Sequence, residues 1–342
     1  KNKNFMKYII CDKPGQINLK TKNIPILKKD YVLVEIRRVG ICGTDLHAFK
    51  GDQPYFNYPR ILGHELAGVV LKKNESKSSL KIGEKVVVIP YIECGNCDAC
   101  KLKLSNCCEK INVIGVHSDG GLQEKIAVPA KNLISVKALS FDEIALIEPL
   151  SIGYHALKRA KIKLADKILV IGCGPIGIGI ISLALSFGCE VIATDYNLKR
   201  LEYVKNNFSK VKIIETNKNL KNDIQLTNKG SLVDKVFDAT GNKIAIESSH
   251  YYVRHGGKLI LVGIYKNNIC FSHPDIHKKE IQIICSRNAT KNDFKSIIKF
   301  LKKREFPSKS FITKKVNFDN LPSDFKSFYS KEKLLIKAMV EL

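Results

Sequence analysis

From Tyr31 to Val128, apolar side chains come in short runs or alternate with polar ones. Tyr31 to Val39, Ala67 to Leu71, Lys85 to Ile89 and Glu124 to Val128 are each bounded by glycine, proline or polar turns. That period of two predicts half-buried strands, and a barrel or sandwich-like domain reaching to about Lys137. Beyond about Lys161 strand and helix patterns alternate. Strands are expected at Lys167 to Gly172, Glu190 to Asp195, Lys212 to Glu215, Lys235 to Thr240, Lys258 to Gly263 and Glu280 to Ser286, and helices at Pro175 to Phe187, Leu198 to Asn207 and Lys243 to Val253. Such an order builds right-handed βαβ units in a doubly wound parallel sheet. An amphipathic helix, Asp293 to Lys303, and a strand near Leu335 to Val340 close the chain.

One apolar segment needs separating from a membrane span. Ile168 to Cys189 carries no charge over 22 residues, but Gly172, Gly174, Pro175 and Gly177 break it into strand, turn and helix. The N-terminus offers only Tyr8-Ile9-Ile10 as an apolar stretch before Asp12, too short for a secretory leader.

With 342 residues, 44% hydrophobic and 26% charged, the composition is that of a globular chain of about two domains. The net charge of +24 raises a nucleic-acid or anionic-membrane partner, yet 49 of the 57 basic residues are lysines scattered along the chain, with no basic helix and no aromatic stacking platform. Neither partner is expected. A positive field that draws anionic substrates is. Eleven cysteines without a leader point to thiols in a reducing, cytoplasmic setting and to metal rather than disulfides.

Gly172-Cys173-Gly174-Pro175-Ile176-Gly177 lies between a predicted strand and a predicted helix. Two glycines let the backbone turn and approach a pyrophosphate, the third lets helix pack on strand, and the helix start supplies free N–H groups. Asp195, at the end of the next strand, is placed to accept hydrogen bonds from both ribose hydroxyls, which favours NAD over NADP. Lys199 and Arg200 just beyond it pull the other way.

Two sets of metal-binding residues stand out. Cys94-x2-Cys97-x2-Cys100 followed by Cys107-Cys108 supplies enough thiolates on one short lobe to close a tetrahedron about a structural zinc, with Cys107 and Cys108 both in place for the fourth. The second set is dispersed: Cys42 in Gly40-Ile41-Cys42-Gly43-Thr44-Asp45-Leu46-His47, His64-Glu65 after Gly63, and Glu148 before Pro149. One thiolate, one imidazole and one or two carboxylates leave a catalytic zinc a free coordination place. Singly, each also reads as a core thiol, a buried imidazole or a helix-start acid.

These motifs, in this order, resemble the zinc-containing medium-chain dehydrogenase superfamily, in its polyol and sugar-acid branch. The resemblance covers essentially the whole chain. It implies a GroES-like catalytic barrel over 1–150 with the zinc lobe at 94–108, a Rossmann NAD-binding domain over 151–286, and a return to the catalytic domain over 287–342. It selects Cys108 as the fourth structural ligand, matches Cys42, His64 and Glu148 to catalytic-zinc positions with Glu65 beside them, and leaves open which carboxylate binds at rest. Two zinc ions per chain and a homodimer or homotetramer are implied. Tyr58-Pro59-Arg60, Gly115 to Gly121 and Ser286-Arg287 are similar to oxidoreductases that oxidise aldonates at C5.

The expected reaction is oxidation of a secondary alcohol to a ketone, with Thr44 passing on the proton and His47 accepting it. Arg287 is a candidate for pairing with a sugar-acid carboxylate and His117 for contacting a hydroxyl or that carboxylate; as alternatives, each ties loops together. Rival substrates are threonine and neutral polyols. A non-catalytic nucleotide-binding regulator would betray itself by a missing ligand, and every ligand position is filled.

Overall fold

The computed structural model describes residues 4–53, 56–74, 78–329 and 334–342. Two compact units emerge, one of Lys1–Glu148 with Thr290–Leu342, the other of Pro149–Ala289.

The first unit is built on a seven-stranded sheet in the order Ile312–Asn317, Lys337–Glu341, Tyr31–Ile41, Glu65–Lys73, Lys85–Val88, Leu133–Ser135, with Lys125–Pro129 also paired to Tyr31–Ile41. All pairings are antiparallel except the first. The central strand Tyr31–Ile41 buries Val32, Val34, Ile36 and Val39 against Leu66, Val70, Val86 and Val88, so the alternation visible in the sequence is the inward face of this sheet. Between neighbouring strands Gly40 pairs with Glu65 and Ile41 with Ala338, which brings three distant stretches of chain side by side. The helix Lys291–Lys302 is capped by Thr290 and Asp293 and buries Phe294, Ile297, Ile298 and Leu301, an i, i+3, i+4, i+7 stripe.

The second unit holds a six-stranded, wholly parallel sheet in the order Lys212–Glu215, Glu190–Asp195, Lys167–Ile171, Val233–Asp238, Val253–Leu261, Gln282–Cys285. That is the doubly wound order, with its switch point beside Lys167–Ile171. Ile168, Leu169 and Val170 are fully buried because both faces are covered, and the helix Pro175–Ser186 that follows is buried over most of its circumference. The uncharged stretch from Ile168 to Cys189 is therefore a core strand and a core helix. No helix among the described residues is long and apolar enough to cross a membrane.

Several elements differ from the sequence expectation. The helix expected over Lys243 to Val253 ends at Ser248, tightens into a 3-10 turn over Ser249–Tyr252, and gives way to the strand Val253–Leu261. Gly256, at φ +68°, and Gly257 interrupt the apolar pattern and hide the start of that strand. The strand expected at Lys235 to Thr240 is Val233–Asp238, because Asp238 turns its side chain to Thr240 and ends the ladder. The hairpin Phe5–Lys13 and Gln16–Asn23, the helix Leu220–Thr227 and the strand Ile312–Asn317 were not anticipated, and the helix Ile147–Ala160 only as a start at Glu148. In the hairpin, lysines on the outward face mask the burial of Met6, Ile9, Cys11 and Ile17, while Gly15 turns the chain at φ +76°.

Candidate active site

The end of Tyr31–Ile41 delivers Cys42 to the start of the helix Gly43–Lys50, and the neighbouring strand begins at Glu65 just after His64. Ligand atoms of Cys42, His64 and Glu65 all lie within 4.8 Å of one another. Asp45, 1% exposed, holds this meeting together: its carboxylate accepts the N–H of Cys42 at 2.9 Å and the N–H of Gly63 at 3.1 Å. It also lies 3.8 Å from His64 Nδ1, a buried nitrogen with no hydrogen-bond partner.

Glu148, in the first turn of Ile147–Ala160, is buried and accepts the hydroxyl of Tyr91. It is not part of the close Cys42, His64, Glu65 group, but it interacts electrostatically with His64, Glu65 and Lys337. Burial pushes its carboxyl up to about 7, aided by Glu65 and opposed by His64, Tyr91 and Lys337. For His64 burial disfavours the charged ring, yet Asp45, Cys42 and Glu148 together raise its pKa well above the imidazole range. Lys337 behaves likewise: burial lowers its pKa, and Glu65, Cys42 and Glu148 override it. Four acidic groups, Cys42, Asp45, Glu65 and Glu148, thus face one buried lysine and one imidazole. A donor set of thiolate, imidazole and carboxylate with that excess of negative charge fits a divalent zinc ion.

A second cluster forms on the lobe around the short helix Asp98–Lys101. Sulfur atoms of Cys94, Cys97, Cys100 and Cys108 gather within 4.8 Å of one another. Cys108 Sγ lies 3.5 Å from Cys94 Sγ and 3.9 Å from Cys97 Sγ. Cys107 is exposed and turned to the Asn106 side chain, outside the cluster. Backbone N–H groups of Asn96 and Cys97 lower the Cys94 thiol to about 6, whereas burial and the neighbouring sulfurs push Cys100 up to about 12. Four sulfurs with no other ligand type fit a closed zinc site.

In the second unit Gly172 sits at φ +93°, where a Cβ would lie 2.8 Å from Thr240 Cγ2, and a Cβ on Gly177 would run into the Gly172 carbonyl. Both glycines are demanded by the fold. Gly174 is different: a Cβ there meets only Arg200 Nη1 at 3.8 Å. The space it leaves adjoins the first turn of Pro175–Ser186, whose N-cap Gly174 has no side chain to cap the helix start. That cradle fits a pyrophosphate. Asp195, 3% exposed, is anchored by the N–H of Cys173 at 2.7 Å and of Asn197 at 2.8 Å, with Arg200 Nη1 at 3.9 Å. Each carboxylate oxygen keeps a lone pair for a ribose hydroxyl.

The remaining candidates are placed as follows. Thr44 is half-buried and His47 exposed on the helix Gly43–Lys50, one turn apart, and His47 Nδ1 meets Asp52 Oδ1 at 2.9 Å. His117 Nδ1 accepts the N–H of Val113 at 3.0 Å, so a loop-bracing bond does occupy one ring nitrogen. Arg287 is exposed, just past the strand Gln282–Cys285 and within the second unit. Sequence reasoning overlooked Asp45, Tyr91 and Lys337 as parts of the site. The signal for Lys337 was a lone charge inside the apolar run Leu335 to Val340.

Residues 28–138 match the alcohol dehydrogenase GroES-like domain and residues 175–303 the zinc-binding dehydrogenase domain. The chain belongs to the zinc-binding alcohol dehydrogenase family, and it is an oxidoreductase of CH–OH groups that uses zinc and a nicotinamide dinucleotide. It is 38% identical to L-galactonate-5-dehydrogenase of Escherichia coli strain K12 over 98% of each chain. It is 34% identical to sorbitol dehydrogenase of Bacillus subtilis strain 168 over 81% of each. The crystal structure of the short-chain alcohol dehydrogenase RspB from Escherichia coli CFT073 with NADH superposes with a TM-score of 0.91, at 29% identity, covering 99% of this chain and 100% of that one.

Proposed function

We propose that this protein oxidises a secondary alcohol of a sugar acid, an aldonate at C5, to a ketone with NAD. The observation that carries it is the Cys42, His64, Glu65 constellation with its surplus of negative charge, on a chain similar throughout to a galactonate dehydrogenase. Cys42 and His64 would hold the catalytic zinc, with the carboxylates of Glu148 and Glu65 beside it, and Cys94, Cys97, Cys100 and Cys108 a structural one. When bound, zinc supplies Lewis acidity to the substrate oxygen and the nicotinamide supplies the hydride acceptor.

The chain's own residues do the rest. Asp45 ties the loops of Cys42 and Gly63 to one carboxylate, so the two ligands keep a fixed separation. The Thr44 hydroxyl, two residues past Cys42, takes the alcohol proton, and His47, one turn along the same helix face, passes it to solvent with Asp52 orienting its ring. Gly172, Gly174 and Gly177 shape the turn for the pyrophosphate, and Asp195 binds the ribose and repels a 2'-phosphate. Arg287 would pair with the substrate carboxylate, and His117 would contact a hydroxyl or that carboxylate. The thiol-rich composition supports a cytoplasmic enzyme, and a homo-oligomer completes this reading.

Elemental analysis and a panel of alcohols with NAD test it on one preparation. About two zinc ions per chain are expected, with NADH formed on an aldonate, and Arg287→Leu should raise KM for that aldonate far more than for a neutral polyol. NADH formation from threonine or sorbitol but from no sugar acid would refute the substrate.

A further inference from the structure

Glu65 and Lys337 are both at most 1% exposed and lie 272 residues apart in the chain. Lys337 Nζ donates to Glu65 Oε1 at 2.6 Å, to Glu65 Oε2 at 2.8 Å and to the carbonyl of Ile41 at 3.1 Å. All three ammonium protons are used, two of them on one carboxylate. The third anchors the lysine to the residue immediately before Cys42. To reach Lys337, the Glu65 side chain crosses over the central strand at Gly40, and a Cβ at position 40 would collide with Glu65 Oε2. The sheet is thus shaped so that Glu65 reaches the lysine, although one of its oxygens also lies within 4.8 Å of the Cys42 and His64 ligand atoms.

Resting on the catalytic-zinc reading above, we infer that Lys337 is a positioning residue that holds Glu65 off the metal and so keeps one coordination place open for substrate. A buried carboxylate deprived of its cationic partner has one other cation within reach, the metal held by Cys42 and His64. Removing the lysine charge therefore turns Glu65 into a direct ligand and converts an open site into a closed one.

The test uses the full chain with cobalt(II) in place of zinc and imidazole as the probe of an open place. Only a centre with an exchangeable position changes its visible absorption on adding imidazole, so the four-cysteine lobe stays silent. If the wild type shows no cobalt absorption beyond that of a Cys42→Ser control, the catalytic-zinc reading itself fails. With a cobalt centre present, Lys337→Met should bind imidazole about ten- to a hundred-fold more weakly than the wild type. Lys337→Arg should keep wild-type binding, and Lys337→Met combined with Glu65→Gln should restore it. Imidazole affinity of Lys337→Met within about twofold of wild type, small against the effect of losing a group that orients a metal ligand, overturns the inference. Should Lys337→Met not fold, Glu65→Gln decides: a retained cobalt centre with its imidazole response supports an off-metal Glu65, and a lost centre overturns it.

Discussion

Asp45→Asn replaces a carboxylate that serves two backbone donors with an amide that has only one acceptor oxygen. In the structure one oxygen takes the Cys42 N–H at 2.9 Å and the other the Gly63 N–H at 3.1 Å, and the side chain is 1% exposed. One of the two N–H groups must then face an NH2, donor against donor. A hydrogen bond to a charged group is worth about 1.5–3 kcal/mol, and a buried donor left without an acceptor costs about 1–3 kcal/mol more, so the substitution should destabilise by about 2.5–6 kcal/mol. Because both bonded residues adjoin zinc ligands, metal affinity should also fall about ten- to a hundred-fold. Urea unfolding of the zinc-stripped protein reads the first effect free of metal, and competition with a chelating dye reads the second. A stability loss below about 1 kcal/mol with unaltered zinc affinity would show that Asp45 does not brace the two ligand loops.

Three further outcomes follow from other parts of the molecule. Cys108→Ser should cost the protein one zinc by elemental analysis, while Cys107→Ser, whose sulfur lies outside the cluster, should cost none; equal losses would break the assignment. Asp195→Ala should weaken NAD relative to NADP in fluorescence titrations, and an unchanged ratio would remove the ribose contact. The third concerns pH. Burial pushes the Asp142 carboxyl up, but hydrogen bonds from Lys315 at 2.6 Å and Arg38 at 2.7 Å bring it below the usual carboxylate range. Its folded pKa is then lower than its unfolded one, so the stabilisation is complete above the unfolded value of about 4 and is lost as pH falls through the folded value. The urea midpoint should drop more steeply between about pH 5 and 3 in the wild type than in Asp142→Asn, and parallel curves would contradict this.

Local chemistry was legible in the chain itself. The turn from Gly172 to Gly177 is six consecutive residues whose spacing states its own geometry, and Cys94 to Cys108 keep a thiolate cage within one short lobe. The alternation in Tyr31 to Val39 and the uncharged run after Lys167 likewise announced a half-buried and a fully buried strand, since side-chain period reports burial directly. The hairpin at Pro14-Gly15 escaped because lysines crowd its outer face.

Tertiary structure alone decided how the dispersed groups meet. Cys42, His64 and Glu148 have no common spacing, and without the likeness to a known family each is an ordinary side chain of the fold. Asp45 stood in plain view three residues after Cys42, but that its carboxylate also reaches Gly63 depends on two strands lying side by side. Lys337 is the furthest case: its partner is 272 residues away, brought next to it because Lys337–Glu341 and Glu65–Lys73 flank the same central strand. Periodicity records which side of a strand faces inward. It carries no record of which strands become neighbours, and it is that neighbourhood which gathers the charges of this site.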